Sequence, residues 1–154
     1  MSEQKAVSLT GADTCKIGNR ILSDVADGDW ANLTFPNDLT EVKTGKNGNS
    51  IYAFNETGRQ VQLELRLLRG SPDDKWMMNL LNNMKKDFSA FVLLNGEFIK
   101  RVGDGQGNIT NDTYLVTGGV FGKMVEAKTS AEGDTEQSVS IYTLKFSNGE
   151  RTLG

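Results

Sequence analysis

The residues able to do chemistry in this chain are few, and their spacing argues against a reaction centre. There is no histidine among the 154 residues, which removes Ser-His-Asp and Cys-His catalysis, histidine general bases and nearly all transition-metal sites. The single cysteine, Cys15, has no partner for an internal disulfide; it points to a reducing compartment at synthesis and to an inert thiol. Carboxylates gather in the acidic turn Asp24-Val25-Ala26-Asp27-Gly28-Asp29. These are calcium-type ligands without EF-hand spacing, so a solvated turn is the simpler account. Lys43-Thr44-Gly45-Lys46-Asn47-Gly48-Asn49 and Gly103-Asp104-Gly105-Gln106-Gly107 imitate phosphate loops. Neither is followed by a helix whose amino terminus would receive a phosphate. Asn-x-Thr tripeptides at Asn32, Asn55, Asn108 and Asn111 are expected to be loop chemistry rather than glycan acceptors. No Asp or Glu pair has a spacing that demands acid–base work. The expectation is a protein with no catalytic residue, no cofactor and no metal.

Charge and length bound the remaining classes. The net charge of −3 is mild and the basic residues are scattered, so the basic stripe of a nucleic-acid binder is missing and DNA nearby would be repelled. A chain of 154 residues suits one compact domain, 1–154, able to bury roughly 68–70% of its unfolded surface without a disulfide or metal. Residues Met1–Thr10 mix charges and contain no apolar run; they are expected to be neither signal peptide nor anchor. No segment approaches membrane-spanning length.

The elements are most legible between Gln60 and Arg101. Val61, Leu63, Leu65 and Leu67 alternate with Gln60, Gln62, Glu64 and Arg66, the period of a strand with one buried face. A helix over Pro72–Lys86 follows. Ser71 caps it, Pro72 fits the first turn, Asp73 and Asp74 sit at the positive end of the dipole, and Lys85 and Lys86 close the negative end. Asp74 forms an imperfect capping box with Ser71. Trp76, Met77, Leu80, Leu81 and Met84 share one arc and should pack on a sheet. Asn79, Asn82 and Asn83 occupy the opposite face, where weak, uncharged helix formers suit either solvent or another chain.

Elsewhere, 1–13 reads as a polar arm, with strand-like runs at Thr14–Leu22 and Trp30–Phe35. The polar segment after Pro36 is expected to protrude as a loop or hairpin over Thr40–Glu56. Phe88–Leu94 and Phe98–Arg101 flank Asn95-Gly96, which predicts a tight hairpin. Thr113–Val125 is a strand in which Gly118 and Gly119 signal a bulge or bend. A polar connection over Ala127–Gln137 leads to a last strand at Ser138–Phe146, and Asn148-Gly149 turns the chain into a short tail. The pattern predicts a mainly β fold, two packed β-sheets as a sandwich or small barrel with one flanking α-helix.

Gly28-Asp29-Trp30, Phe35-Pro36-Asn37-Asp38, the turn-rich segment to Asn49, Gly58-Arg59 and the strand running to Arg69-Gly70-Ser71-Pro72-Asp73-Asp74 give the chain an element order that resembles the tail tube proteins of contractile-tailed bacteriophages, over roughly Gly18–Phe146. The resemblance implies a structural protein of the virion tail, made in the bacterial host cytoplasm. Six copies would form a ring, and rings would stack into a tube for DNA ejection, with sheath and baseplate proteins as further partners. It implies that one sheet of each subunit lines the channel and that a long loop reaches an adjacent subunit. Carried onto this chain, the loop contributes Lys43, Thr44, Lys46, Asn47 and Asn49 to an interface, with Asn79, Asn82 and Asn83 on the flank. Gln60, Gln62, Glu64 and Arg66 are candidates for the lumen face, which sheet faces inward being open. Two alternatives remain: the ring-forming tube protein of a type VI secretion apparatus, and a monomeric carbohydrate-binding β-sandwich using Trp30, Trp76 or Tyr52 as a stacking platform.

Overall fold

The computed structural model describes residues 14–25, 30–103, 105–127 and 139–154. It contains strands β1 (Thr14–Ile17), β2 (Arg20–Ile21), β3 (Ala31–Thr34), β4 (Thr40–Thr44), β5 (Ser50–Phe54) and β6 (Val61–Leu68). Helix α1 (Pro72–Lys86) follows, then β7 (Leu94–Gly103), β8 (Ile109–Phe121), β9 (Glu126–Ala127) and β10 (Val139–Leu153). The fold is mainly β, with two antiparallel sheets and one helix, as the sequence predicts, but the smaller sheet is an exposed hairpin and not a layer packed on the larger one. The larger sheet runs β2-β1-β7-β8-β10-β6-β3, with β9 paired to the start of β10; β4 and β5 form the second sheet by themselves.

The alternation in β6 builds the core. Val61, Leu63, Leu65 and Leu67 are at most 2% exposed, and the register sets them opposite Phe146, Leu144, Tyr142 and Ser140. Directly paired residues share a face, so one row of apolar side chains crosses both strands. Cys15, Ile17 and Val116 from β1 and β8 join the same cluster, as do Met77 and Leu81 from α1. The sheet curls. Leu33 and Leu63 from one end of the strand order line the same cleft as Thr14 and Phe98 from the other.

Helix α1 has the predicted bounds and cap: Ser71 Oγ accepts from the Asp74 N–H at 3.2 Å, while an Asp74 carboxylate oxygen accepts from the Gly70 N–H at 2.8 Å. Tyr142 donates its hydroxyl to Asp74, 2.5 Å from Oδ1, which ties the helix start to β10. Met77 and Leu81 are buried, and Trp76, Leu80 and Met84 pack partly buried around them.

Two turn expectations fail for one reason. Asn95-Gly96 lies inside β7 and Asn148-Gly149 inside β10, and neither glycine has a positive φ. A Cβ on Gly96 would stand 2.7 Å from Val116 Cγ2, and one on Gly149 would meet Val61 and Val116. These glycines permit close approach in the core. The β7–β8 connection lies instead at Gly105 and Gly107, with φ of +80° and +91°. Phe88–Leu94 is not a strand: a 3-10 turn occupies Phe88–Ala90 and β7 starts at Leu94. The expected irregularity in β8 is present, Gly118 having φ +70° and the β7 register shifting between Leu94 and Gly96. The arm 1–13, residues 26–29 of the acidic turn and 128–137 of the polar connection lie outside the described residues.

Candidate assembly surfaces

The segment expected to protrude does so as the hairpin β4–β5, paired from Thr40↔Phe54 to Thr44↔Ser50. Every residue in both strands is exposed. Val42 and Tyr52 are directly opposed, so Val42, Tyr52 and Phe54 share one face and Ile51 and Ala53 the other. Ile51 is 73% and Tyr52 76% exposed. An isolated two-stranded hairpin is marginal in water, and clustered exposed apolar side chains mark a surface that another element covers.

Its base is closed by the residues that flank it. The Asn55 N–H donates to the Leu39 carbonyl at 2.7 Å, and Gly58 packs so closely that a Cβ would stand 2.5 Å from Leu39 Cα. Arg59 lies 5.6 Å from the Phe54 ring centroid. At the tip, the Gly45 N–H donates to the Asn49 carbonyl at 2.8 Å, and the Thr44 and Ser50 hydroxyls are 3.0 Å apart. The structure thus brings Lys43, Thr44, Lys46, Asn47 and Asn49 together at one exposed tip.

Gln62, Glu64 and Arg66 point away from the buried row of β6. Pairing extends their face through Asn32 and Thr34 on β3 and through Ile141, Thr143 and Lys145 on β10, of which Ile141 and Thr143 are buried. Arg66 Nη2 stands 3.4 Å from Glu64 Oε1. The face mixes amides, hydroxyls and opposite charges. Gln60 precedes β6, its side-chain oxygen accepting from Asn37 at 2.9 Å, and it lines a shallow cavity together with Gln62 and Lys145.

Asn79, Asn82 and Asn83 are exposed on α1. Beside them is a feature that the sequence reading missed, a mainly apolar groove lined by Leu80, Ala90, Phe91 and Val92 with Asn83, Lys86 and Asp87 at its polar side. Phe88 and Val92 stand out from it, Val92 82% exposed. Its signal was a run of apolar residues without alternation directly after a capped helix.

The aromatic side chains of the carbohydrate alternative are not assembled into one platform. Tyr52 is on the hairpin, Trp76 is on α1 with the Arg20 guanidinium 5.7 Å from its ring, and Trp30 lines the cleft between the sheet ends. Of the Asn-x-Thr asparagines, Asn32 and Asn111 are in strands rather than loops. Among the described residues no group of three His, Cys, Asp or Glu side chains could hold a metal, and no helix is long and apolar enough to cross a membrane.

Two buried polar groups are structural. Asp73, 1% exposed, accepts from Arg20 Nε at 2.6 Å and from the N–H groups of Ser23 and Asp24 at 2.7 and 2.8 Å. Burial alone would raise its pKa; these hydrogen bonds and the Arg20 charge outweigh burial and hold the carboxyl below its ordinary value. Burial, reinforced by the Asp73 charge, pushes the Cys15 thiol up. A scan against protein-family models and a search of curated proteins gave no match to this chain.

Proposed function

We propose that this chain is the tube subunit of a contractile bacteriophage tail, a structural protein without catalytic activity that forms rings stacked into a hollow DNA conduit. The observation that carries this reading is the hairpin β4–β5, exposed along its whole length, with Val42, Tyr52 and Phe54 on one face and Ile51 and Ala53 beside Lys43 and Glu41 on the other. Such an element gains its stability from a neighbouring subunit, and a contact between unlike surfaces of identical chains propagates into rings or filaments. The polar face around Gln62, Glu64 and Arg66 suits a wet lumen, and a net charge of −3 suits passage of DNA without retention. The asparagine face and the groove beside it are the surface left for a sheath protein.

Negative-stain electron microscopy of the purified chain over a concentration series tests the proposal. Annular particles and hollow filaments of uniform width are expected. A chain lacking Lys43–Asn49 should stay folded by circular dichroism and form neither. Rings and tubes formed equally well by that deletion would remove the hairpin from the interface, and a dispersed monomer at every concentration would count against the conduit.

A further inference from the structure

The curled sheet leaves a cleft between its two ends of about 330 Å³, within the size range of small-molecule sites. Three rings from three segments converge on it: Trp30, just before β3, Phe98 on β7 and Tyr114 on β8. Phe98 and Tyr114 are direct cross-strand partners, and Lys100 and Asp112, the next pair on that face, bring the charge. Asp112 is already committed. Arg151 donates from Nε and Nη2 to its two oxygens at 2.8 and 2.9 Å, and the same guanidinium lies 5.6 Å from the Tyr114 ring centroid. Lys100, the direct cross-strand partner of Asp112, adds a second cation beside that one carboxylate, so the charge at the cleft is positive in excess and its part among the lining residues is the Lys100 ammonium.

That combination discriminates between ligand classes. A neutral sugar needs donors and acceptors in alternation, whereas Asp112 is occupied and Lys100 only donates. Flat aromatic walls beside one cation favour a flat, negatively charged guest. We propose that the cleft binds a small planar aromatic anion, with its ring among Trp30, Phe98 and Tyr114 and its anionic group on the Lys100 ammonium. The site is separate from the hairpin, so it stands or falls independently of ring assembly.

Isothermal titration calorimetry of the full chain with 2-naphthoate, the neutral 2-naphthylmethanol and methyl β-glucoside tests this, at concentrations where microscopy shows dispersed protein and again where it shows assemblies. Saturable 2-naphthoate binding is expected, with Kd on the order of 0.1–1 mM for a ligand of this size. Lys100→Gln, an exposed change that leaves the fold intact, should weaken it about fivefold and leave the neutral analogue unaffected. Trp30→Ala should weaken both aromatic probes about tenfold. Absence of saturable heat at 10 mM would overturn the proposal. So would equal binding of the neutral analogue, or a preference for the glucoside, which would instead make the cleft a carbohydrate site.

Discussion

At the scale of single residues, the titratable groups inside this protein serve cohesion. Asp73 joins α1 to the β2–β3 connection by accepting from Arg20 and from two backbone N–H groups. Asp73→Ala should cost about 3 kcal/mol and lower Tm by roughly 6–12 °C in thermal unfolding. Because the folded-state pKa lies below the unfolded one, the stabilising contribution is complete above the ordinary carboxylate pKa of about 3.9 and is lost as pH falls below it. A denaturant titration from pH 6 to pH 2 should show that loss in the parent and a smaller one in Asp73→Ala. Tyr142 has the opposite sign. Burial first, then its hydrogen bond to Asp74 and the Asp74 charge, raise the phenol pKa. Its contribution is complete below about pH 10 and fades above it. Cys15 is 2% exposed and its thiol pKa is raised, so a colourimetric disulfide reagent at pH 8 should leave it unmodified in native protein and titrate one thiol after guanidinium unfolding. The inert Cys15 was legible in the sequence, whereas the roles of Asp73 and Tyr142 were not, because each depends on a partner about fifty residues or more away.

At the scale of elements, legibility followed how local the cause was. Strand β6 and helix α1 fell where period, cap residues and terminal charges placed them, since each signal acts within a few positions. The Asn-Gly pairs misled because glycine answers two different demands, a positive φ or a missing Cβ, and only the neighbouring strands decide between them. Gly96 and Gly149 answer the second. Gly96→Ala should therefore destabilise by about 1–3 kcal/mol through overpacking against Val116. Gly48→Ala, at φ +86° with nothing within 4 Å of the new Cβ, should cost about 1 kcal/mol of local strain confined to the hairpin tip. Chemical denaturation separates the cases: the first change shifts the global midpoint, the second leaves it nearly unmoved. A tight turn at Gly96 would have predicted the reverse order, with the positive-φ penalty at residue 96.

At the scale of the whole molecule, the described residues divide into a buried body and surfaces exposed in the isolated chain. The core row of β6 and β10, closed by α1, needs no partner. The hairpin strands and the apolar residues Phe88 and Val92 beside the asparagines are exposed in the isolated chain, and the sequence could name the protruding segment because its turn residues are a local signal. The division is testable through a change invisible to the monomer. Ile51 and Tyr52 point to opposite faces of the hairpin and are both largely exposed. In the free subunit, Ile51→Asp with Tyr52→Asp should therefore alter stability by about 0.5 kcal/mol or less per site. In an assembly, each would bury a carboxylate without a partner, at several kcal/mol per copy, and that cost would multiply around a ring. The double variant should match the parent in thermal unfolding at low concentration yet sediment as a monomer where the parent forms rings. Assembly of the variant at the parent's concentration would show that the hairpin stays in solvent, and would move the search for the interface to the groove beside α1.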